Sequence, residues 1–313
     1  MNTQILSCDW GTSNFRLRWI DVSTASVISE VSDSIGIASV YNEWLKSGLP
    51  ENGRSGYYRK ILFSRIKQLA NDPMKGIPVI LSGMSSSSIG AMELPCKKVP
   101  VALDSAHLYV QHIAPDECCP HELLLVSGVQ SGNDIMRGEE TMLLGSANAA
   151  TTGRLVILPG THSKHVTVNG NSLVSFKTYM TGEFFDLLSR TSILSRSVAA
   201  NSKEHWDIFE KGVRDGASGN LLNAAFHVRT AQLFAKFTNE ENYHYLSGIL
   251  IGNELSAISA DTPPVLLICN SAFREKYSRA LTISGITDEV EYLDAAAALV
   301  RGHCQIAKHY IDR

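Results

Sequence analysis

Apolar and polar positions along the chain fall into two similar series. Gln4 to Cys8 is a nearly continuous apolar run, and from Phe15 to Asp21 the apolar Phe15, Leu17 and Trp19 alternate with polar residues, so both read as strands. A third strand is predicted at Ser26 to Val31. Ile61, Leu62, Ile66 and Leu69 recur at helical spacing and predict a helix over Tyr57 to Ala70. Short buried strands follow at Pro78 to Ser82 and Leu123 to Ser127. Glu139 to Asn148 reads as a helix with acidic residues in its first turn, where the helix dipole favours them.

The pattern then restarts. Arg154 to Leu158 predicts a strand, and His165 to Val168 and Ser172 to Lys177 a hairpin closed at Asn169-Gly170, a strong tight-turn signal. Helices are predicted at Gly182 to Leu194, in pieces from Trp206 to Phe237, and at Glu241 to Ile258. A strand at Val265 to Cys269 and helices at Ala272 to Ser284 and Ala295 to Tyr310 complete the chain. Strand, glycine turn, more strands, then helices occurs twice, which implies an α/β protein of two related domains. The boundary is expected near Thr151-Thr152-Gly153, giving domains 1–153 and 154–313.

Composition narrows the functions on offer. The chain has 313 residues, 44% hydrophobic and 19% charged, with a net charge of −3. That gives no general field for nucleic acid or an anionic membrane. No apolar stretch reaches the length of a membrane span, and the N-terminus does not read as a signal peptide. Six cysteines are too few for a disulfide scaffold of this size, so a reducing cytoplasm is expected. Cys118-Cys119-Pro120-His121 lacks the spacing and second ligand pair of a zinc site.

The candidate chemistry lies in two turns, Cys8-Asp9-Trp10-Gly11-Thr12-Ser13-Asn14 and Leu158-Pro159-Gly160-Thr161-His162-Ser163-Lys164. Each follows a predicted strand and places a Gly beside hydroxyl side chains. Such a turn lets backbone N–H groups approach phosphate oxygens while hydroxyls add hydrogen bonds. Asp9 is suited to a hydrated Mg²⁺, which prefers oxygen ligands. Two such turns about half a chain apart suggest two domains gripping one nucleotide.

Five strings, in order and over nearly the whole chain, resemble the 2-dehydro-3-deoxygalactonokinases of the actin, hexokinase and heat-shock ATPase superfamily. They are Asp9 to Arg16, Asp134 to Thr141, Leu158 to Lys164, Met180 to Phe185 and Tyr245 to Glu254. The resemblance implies two ribonuclease-H-like domains with a nucleotide cleft, and ATP-dependent, Mg²⁺-assisted phosphorylation of 2-dehydro-3-deoxygalactonate to its 6-phosphate. Asp9 would place Mg²⁺ through water, with Gly11, Thr12 and Asn14 around the phosphates. Arg16 would either neutralise developing charge or point to solvent. Gly160, Thr161 and Ser163 would grip the phosphates from the second domain, and Lys164 would add a positive charge. His162 is expected to be a hydrogen-bonded turn residue.

Three carboxylates compete to be the base or the ligand of a Mg²⁺-bound water, Glu139 first, then Glu140, then Asp134, and at least one of them is expected instead to satisfy free N–H groups at the helix start. Consecutive Glu139 and Glu140 point about 100° apart on a helix, so they cannot both face one cleft. Glu183 is either a ligand contact or a favourable first-turn charge. Gly248 and Gly252 share a helix face and admit either the adenosine or another helix. In the substrate loop the resemblance marks Met84, Ser85, Ser87 and Glu93. There the family's pattern reads roughly Gly-Met-Val-Gly-Ser-x-x-Gly-Trp-x-Glu-x-Pro-Tyr, whereas this chain has Ser86 for the second Gly, Ala91 for Trp and Cys96 for Tyr. Ala91 in place of a large ring either opens the pocket or lies outside it, in a loop that has drifted. Cys269-Asn270 replaces the family's Gly-Ser beside the adenine. Two alternatives stay open, a phosphoanhydride hydrolase and a catalytically silent sensor of sugar acids or nucleotides. Self-association as a homodimer also stays open.

Overall fold

In the first strand, β1 (Gln4–Trp10), alternate side chains part to opposite faces of a sheet, as the strand period requires. Leu6, Cys8 and Trp10 enter a core lined by helices α1 (Ile37–Ser47) and α2 (Arg54–Leu69), through Ile37, Val40, Tyr58, Leu62 and Ile66. Trp10 packs edge-on against Phe15 and Tyr58, with ring centroids 5.0 and 5.7 Å apart. Ser7 lies on the opposite face, where it bonds Nδ1 of His303 at 2.6 Å. Asp9, two residues on, shares that face. The computed structural model describes residues 4–69, 76–146, 153–200, 203–259 and 261–311. Ala70, Asn148 and the boundary pair Thr151-Thr152 lie outside the described residues.

The chain divides into two compact units, one of Met1–Thr151, Gly170–Ser175 and Ala295–Arg313, the other of Thr152–Asn169 and Phe176–Asp294. In the first, β2 (Phe15–Asp21) and β3 (Ser26–Asp33) continue an antiparallel meander from β1. β4 (Val79–Gly83) pairs parallel to β1 on its other side. Next come β5 (Lys97–Lys98), β6 (Val101–Ala102), β7 (Val110–Ile113) and β8 (Leu123–Val126), the last parallel to β4. The sheet order is β3-β2-β1-β4-β8-β7. A small sheet joins β5 to the hairpin of β9 (Val129–Ser131) and β10 (Asp134–Met136), and helix α3 (Glu139–Ser146) follows.

In the second unit β11 (Arg154–Leu158) pairs antiparallel with β12 (Ser163–Asn169), which turns at Asn169-Gly170 into β13 (Ser172–Tyr179). Gly170 has φ +56°, the left-handed conformation such a turn needs. The hairpin tip pairs with β6 through Ser172 and Leu173, which is why it counts with the first unit. Helices α4 (Thr181–Arg190), α5 (Trp206–Ala217), α6 (Leu221–Leu233) and α7 (Asn239–Leu255) lead to β14 (Val265–Cys269), parallel to β11. Helix α8 (Ser271–Ile283), β15 (Val290–Asp294) and α9 (Ala295–Tyr310) end the chain. The order β13-β12-β11-β14-β15 repeats β3-β2-β1-β4-β8, three antiparallel strands followed by two parallel ones. The duplication expected from the sequence is therefore one of topology, that of two ribonuclease-H-like domains.

One assignment differs from the sequence reading. Residues 295–313, expected in the second domain, belong to the first unit. Helix α9 packs on α3 so closely that a Cβ on Gly145 would stand 1.8 Å from the Ala298 carbonyl oxygen, and one on Gly302 would stand 2.1 Å from that of Thr141. Only glycine permits such an approach.

Candidate active site

The first turn, Gly11 to Asn14, is held from behind by the start of α1. Ile37 and Ala38 N–H groups donate to the carbonyls of Gly11 and Thr12 at 2.9 and 3.1 Å, and Gly11 N–H donates to the Asn14 carbonyl at 2.9 Å. Gly36 makes this docking possible, since a Cβ there would lie 2.1 Å from the Thr12 oxygen. Thr12, Ser13 and Asn14 stay exposed. A Cβ on Gly11 would meet nothing closer than the Asn14 oxygen, at 3.6 Å.

Beside this turn two glycines bring three chain segments together. Gly83 ends β4 with φ +85°, and a Cβ there would meet the Trp10 carbonyl oxygen at 2.8 Å and Asp9 Oδ1 at 3.5 Å. Gly138, with φ +108°, lies against Gly83, and a Cβ on it would stand 3.3 Å from the Gly83 Cα. The acidic start of α3 is thereby set against Asp9. Burial lifts the Asp9 carboxyl above its ordinary pKa, Arg16 and Arg18 pull it down, and the charge of Glu139 pushes it up. Arg16 is half exposed and reaches Glu30 at 3.8 Å, so it is both a strand residue at the solvent edge and a charge acting on Asp9.

The three competing carboxylates have different surroundings. Glu140 is buried and accepts from Gly138 N–H with both oxygens, at 3.0 and 2.8 Å, and from Thr141 Oγ1 at 3.0 Å. It caps the helix start. Burial and the neighbouring Glu139 raise its pKa to about 8. Glu139 is half-buried, with Oε2 accepting from Arg137 N–H at 3.1 Å. Asp134 stands at the first residue of β10, across from Ser131.

The loop after β4 is built inward. Ser85, Ser86 and Ser87 are buried, Ser87 Oγ donates to the Met84 carbonyl at 2.7 Å, and Ser85 Oγ has no partner among the described residues. Met84 is half-buried and Glu93 exposed. Arg137 Nη1 donates to the carbonyl and hydroxyl of Ser86, at 2.8 and 3.2 Å. Ala91 meets the second of its two readings: it is buried in the core cluster with Trp10, Tyr58 and Leu94 rather than lining an opening.

The second turn repeats the device with different support. Glu183 N–H at the start of α4 donates to the Thr161 carbonyl at 3.0 Å, and a Cβ on Gly182 would lie 2.5 Å from the Gly160 oxygen. Gly160 itself has nothing within 4 Å of its would-be Cβ. His162 Nε2 and Glu183 Oε2 are 2.6 Å apart. Lys164 is buried, its Nζ donating to the His162 carbonyl at 2.7 Å, so it braces the turn. Beneath it runs a relay. Gly160 N–H donates to Ser163 Oγ at 3.4 Å, Ser163 Oγ lies 3.1 Å from Tyr277 Oη, and Tyr277 donates to Glu254 at 2.9 Å. His165 Nε2, at 2.9 Å, and Thr181 Oγ1 complete the partners of the Glu254 carboxyl. Burial and Glu254 hold Tyr277 protonated, as its donor role requires.

Two positions read beside the adenosine have packing and capping roles. Gly248 and Gly252 face α5, where Cβ atoms would stand 2.1 and 2.2 Å from the carbonyl oxygens of Phe209 and Val213. Backbone fills the space in front of both, so their glycine character serves helix packing and leaves no room there for a base. Cys269 is buried, and Asn270 caps α8 by accepting from Phe273 N–H at 3.2 Å. The sequence reading missed Arg137, His165, Thr181, Tyr277 and Glu254. For Glu254 a signal existed: a carboxylate inside an otherwise apolar helix.

A model of the family described as 2-keto-3-deoxy-galactonokinase matches residues 9–306. The probable 2-dehydro-3-deoxygalactonokinase of Rhizobium meliloti (strain 1021) is 31% identical over 309 residues, spanning 94% of this chain and 93% of its own. The 2-dehydro-3-deoxygalactonokinase of Escherichia coli (strain K12) is 25% identical over 91% of each chain. A crystal structure from Sinorhizobium meliloti assigned to the same enzyme superposes with a TM-score of 0.83 at 28% identity, over 98% of this chain and 96% of that one.

Proposed function

The chain belongs to the 2-keto-3-deoxygalactonokinase family, and from that premise we propose how its residues carry the reaction. It phosphorylates a sugar acid, 2-dehydro-3-deoxygalactonate, at the expense of ATP. The terminal hydroxyl oxygen attacks the γ-phosphorus, the bond to the β–γ bridging oxygen breaks, and ADP leaves. The hydroxyl proton passes to Glu139, giving the 6-phosphate.

The observation that carries the assignment is the contact of Gly83 with Gly138, which sets Glu139 against Asp9. Glu140 is buried and engaged in capping, whereas Glu139 is half-buried with its charge acting on Asp9, and this favours Glu139 as the base. Asp9, with its raised pKa and its acidic neighbour, fits a hard divalent cation. Mg²⁺ is commonly held by one or two carboxylates, waters and substrate phosphates. When bound there, Mg²⁺ would neutralise charge on the phosphates. The Gly11–Asn14 and Gly160–Ser163 turns would receive phosphate oxygens. At both Gly11 and Gly160 the chain itself sets no steric demand for glycine, which supports an outside molecule as the reason.

ADP release measured against a panel of sugar acids, with a no-acceptor control, tests this reading. Acceptor-dependent release with 2-dehydro-3-deoxygalactonate is expected. Release without acceptor would indicate a phosphoanhydride hydrolase, and none with any acceptor a sensor; neither is favoured by the family. The same reading accords with a cytoplasmic enzyme, and self-association as a homodimer stays open beside a monomer. The exposed apolar residues Leu222, Phe226 and Leu233 along α6 support self-association, and light scattering of the purified protein tests it. No helix among the described residues is long and apolar enough to cross a membrane.

A further inference from the structure

Around the first turn, the guanidinium groups find carboxylate partners with one exception. Arg18 and Arg16 both reach Glu30, at 2.5 and 3.8 Å, and Arg54 reaches Glu51 at 2.8 Å. Arg137 has no carboxylate partner among the described residues. Its Nη1 is spent on the Ser86 carbonyl and hydroxyl, while Nε and Nη2 carry no hydrogen bond among those residues. The residue is half-buried, with its charge felt at Cys96. A cation drawn partly out of water loses hydration that a bound anion would restore. The free Nε–Nη2 edge is the side of a guanidinium that matches a carboxylate with two parallel N–H···O bonds.

The place of this edge matters as much as its vacancy. Arg137 is two residues ahead of Glu139 and donates its own N–H to that carboxylate. Nη1 ties it to the serine loop, where the neighbouring Ser85 Oγ is buried and unpartnered among the described residues. The guanidinium is thus fixed in the wall that also carries Glu139. A six-carbon sugar acid has its carboxylate at one end and its phosphate-accepting hydroxyl at the other, so it needs a cation in the wall that carries the base, set off from the base by the sugar's length and apart from the phosphates.

We infer that Arg137 binds the carboxylate of the acceptor and sets the preference for sugar acids over neutral sugars, an inference that rests on the sugar-acid kinase reading. The test compares 2-dehydro-3-deoxygalactonate with its methyl ester, which keeps the shape and removes the charge. In the wild type the acid should be favoured in kcat/KM by about 10²-fold, the scale of a charge-assisted bidentate pair. Arg137→Ala should remove most of that preference by raising KM for the acid, with KM for ATP and turnover of the ester little changed. Arg137→Lys, keeping the charge without the fork, should fall between, and it carries the test if the alanine variant does not fold. Parallel losses on acid and ester, or an intact preference in Arg137→Ala, would overturn the assignment while wild-type turnover of the acid upheld the kinase reading. Failure of the wild type on every sugar acid would overturn both.

Discussion

The two glycine turns share a scaffold and differ in what stands behind it. Each follows the first strand of its domain, each offers a carbonyl to the amide of a helix that arrives after the third strand, and each needs a glycine at that helix start, Gly36 or Gly182. Behind the first turn lie carboxylates, Asp9 and Glu139, whose charges oppose each other. Behind the second lies a hydrogen-bonded relay that ends on Glu254, with Lys164 folded back onto its own turn. On the proposed reading, one scaffold serves two tasks. Opposed charges suit a site that binds a cation and moves a proton, whereas a saturated relay suits a turn that must only hold its amides still.

The largest expected effect tests that division of labour. Glu139→Gln should lower kcat by about 10²-fold or more, the usual contribution of a general base, with a smaller change in KM for ATP. Glu254→Gln puts an amide N–H₂ where the carboxylate now accepts from Tyr277, Thr181 and His165. Its expected effect is an increase of about 10-fold in KM for ATP, corresponding to roughly 1.4 kcal/mol, with kcat nearly kept. Steady-state kinetics of the two variants side by side decides the matter. If Glu254→Gln loses kcat as deeply as Glu139→Gln, the halves are not divided into chemistry and grip.

A second pair of variants sharpens the comparison within one turn. In Gly182→Ala the new methyl meets the Gly160 oxygen at 2.5 Å, so α4 must back away. Overpacking of this kind costs about 1–3 kcal/mol, and the unfolding midpoint should fall by roughly 3–10 °C. In Gly160→Ala the methyl enters open space, so the midpoint should hold while KM for ATP rises several-fold. Thermal melts and ATP titrations of both variants check this. An unchanged KM in Gly160→Ala would remove that turn from the nucleotide site.

How much of this was readable in the sequence depended on the range of the interaction. Strand periodicity and the Asn169-Gly170 signal are local, and they located every strand of the repeat between the sheets except β15. The topology of the two domains followed from these. Helix α1 was missed although Ile37, Val40 and Trp44 are buried at helical spacing, because polar residues crowd the positions between them. Strand β15 was missed because Glu291 and Asp294 break its apolar signal. The allegiance of α9 depends on Gly145 meeting Gly302 across more than 150 residues, and no local pattern records that. Gly248 and Gly252 pose the same problem, since their spacing announces a close approach without naming the partner. Among the carboxylates, the helical angle between Glu139 and Glu140 said that one would face inward. Which one it was depended on the left-handed Gly138 that presents its N–H to Glu140.

That buried carboxyl yields the smallest effect and the clearest dependence on pH. Burial and Glu139 raise the Glu140 pKa from 4.5 to about 8, against the pull of the Gly138 and Thr141 hydrogen bonds. The native state therefore holds this proton more tightly than the unfolded chain. The resulting stabilisation is complete below the unfolded pKa and is lost as pH rises through the folded one. Glutamine keeps an oxygen for Gly138 N–H and has no proton to surrender. Glu140→Gln should therefore melt close to the wild type near about pH 5 and a few degrees above it near about pH 8.5. Melting curves at several pH values between these limits measure the gap. A gap that fails to widen with pH would mean that Glu140 stays ionised in the folded protein, with the hydrogen bonds at the head of α3 outweighing its burial.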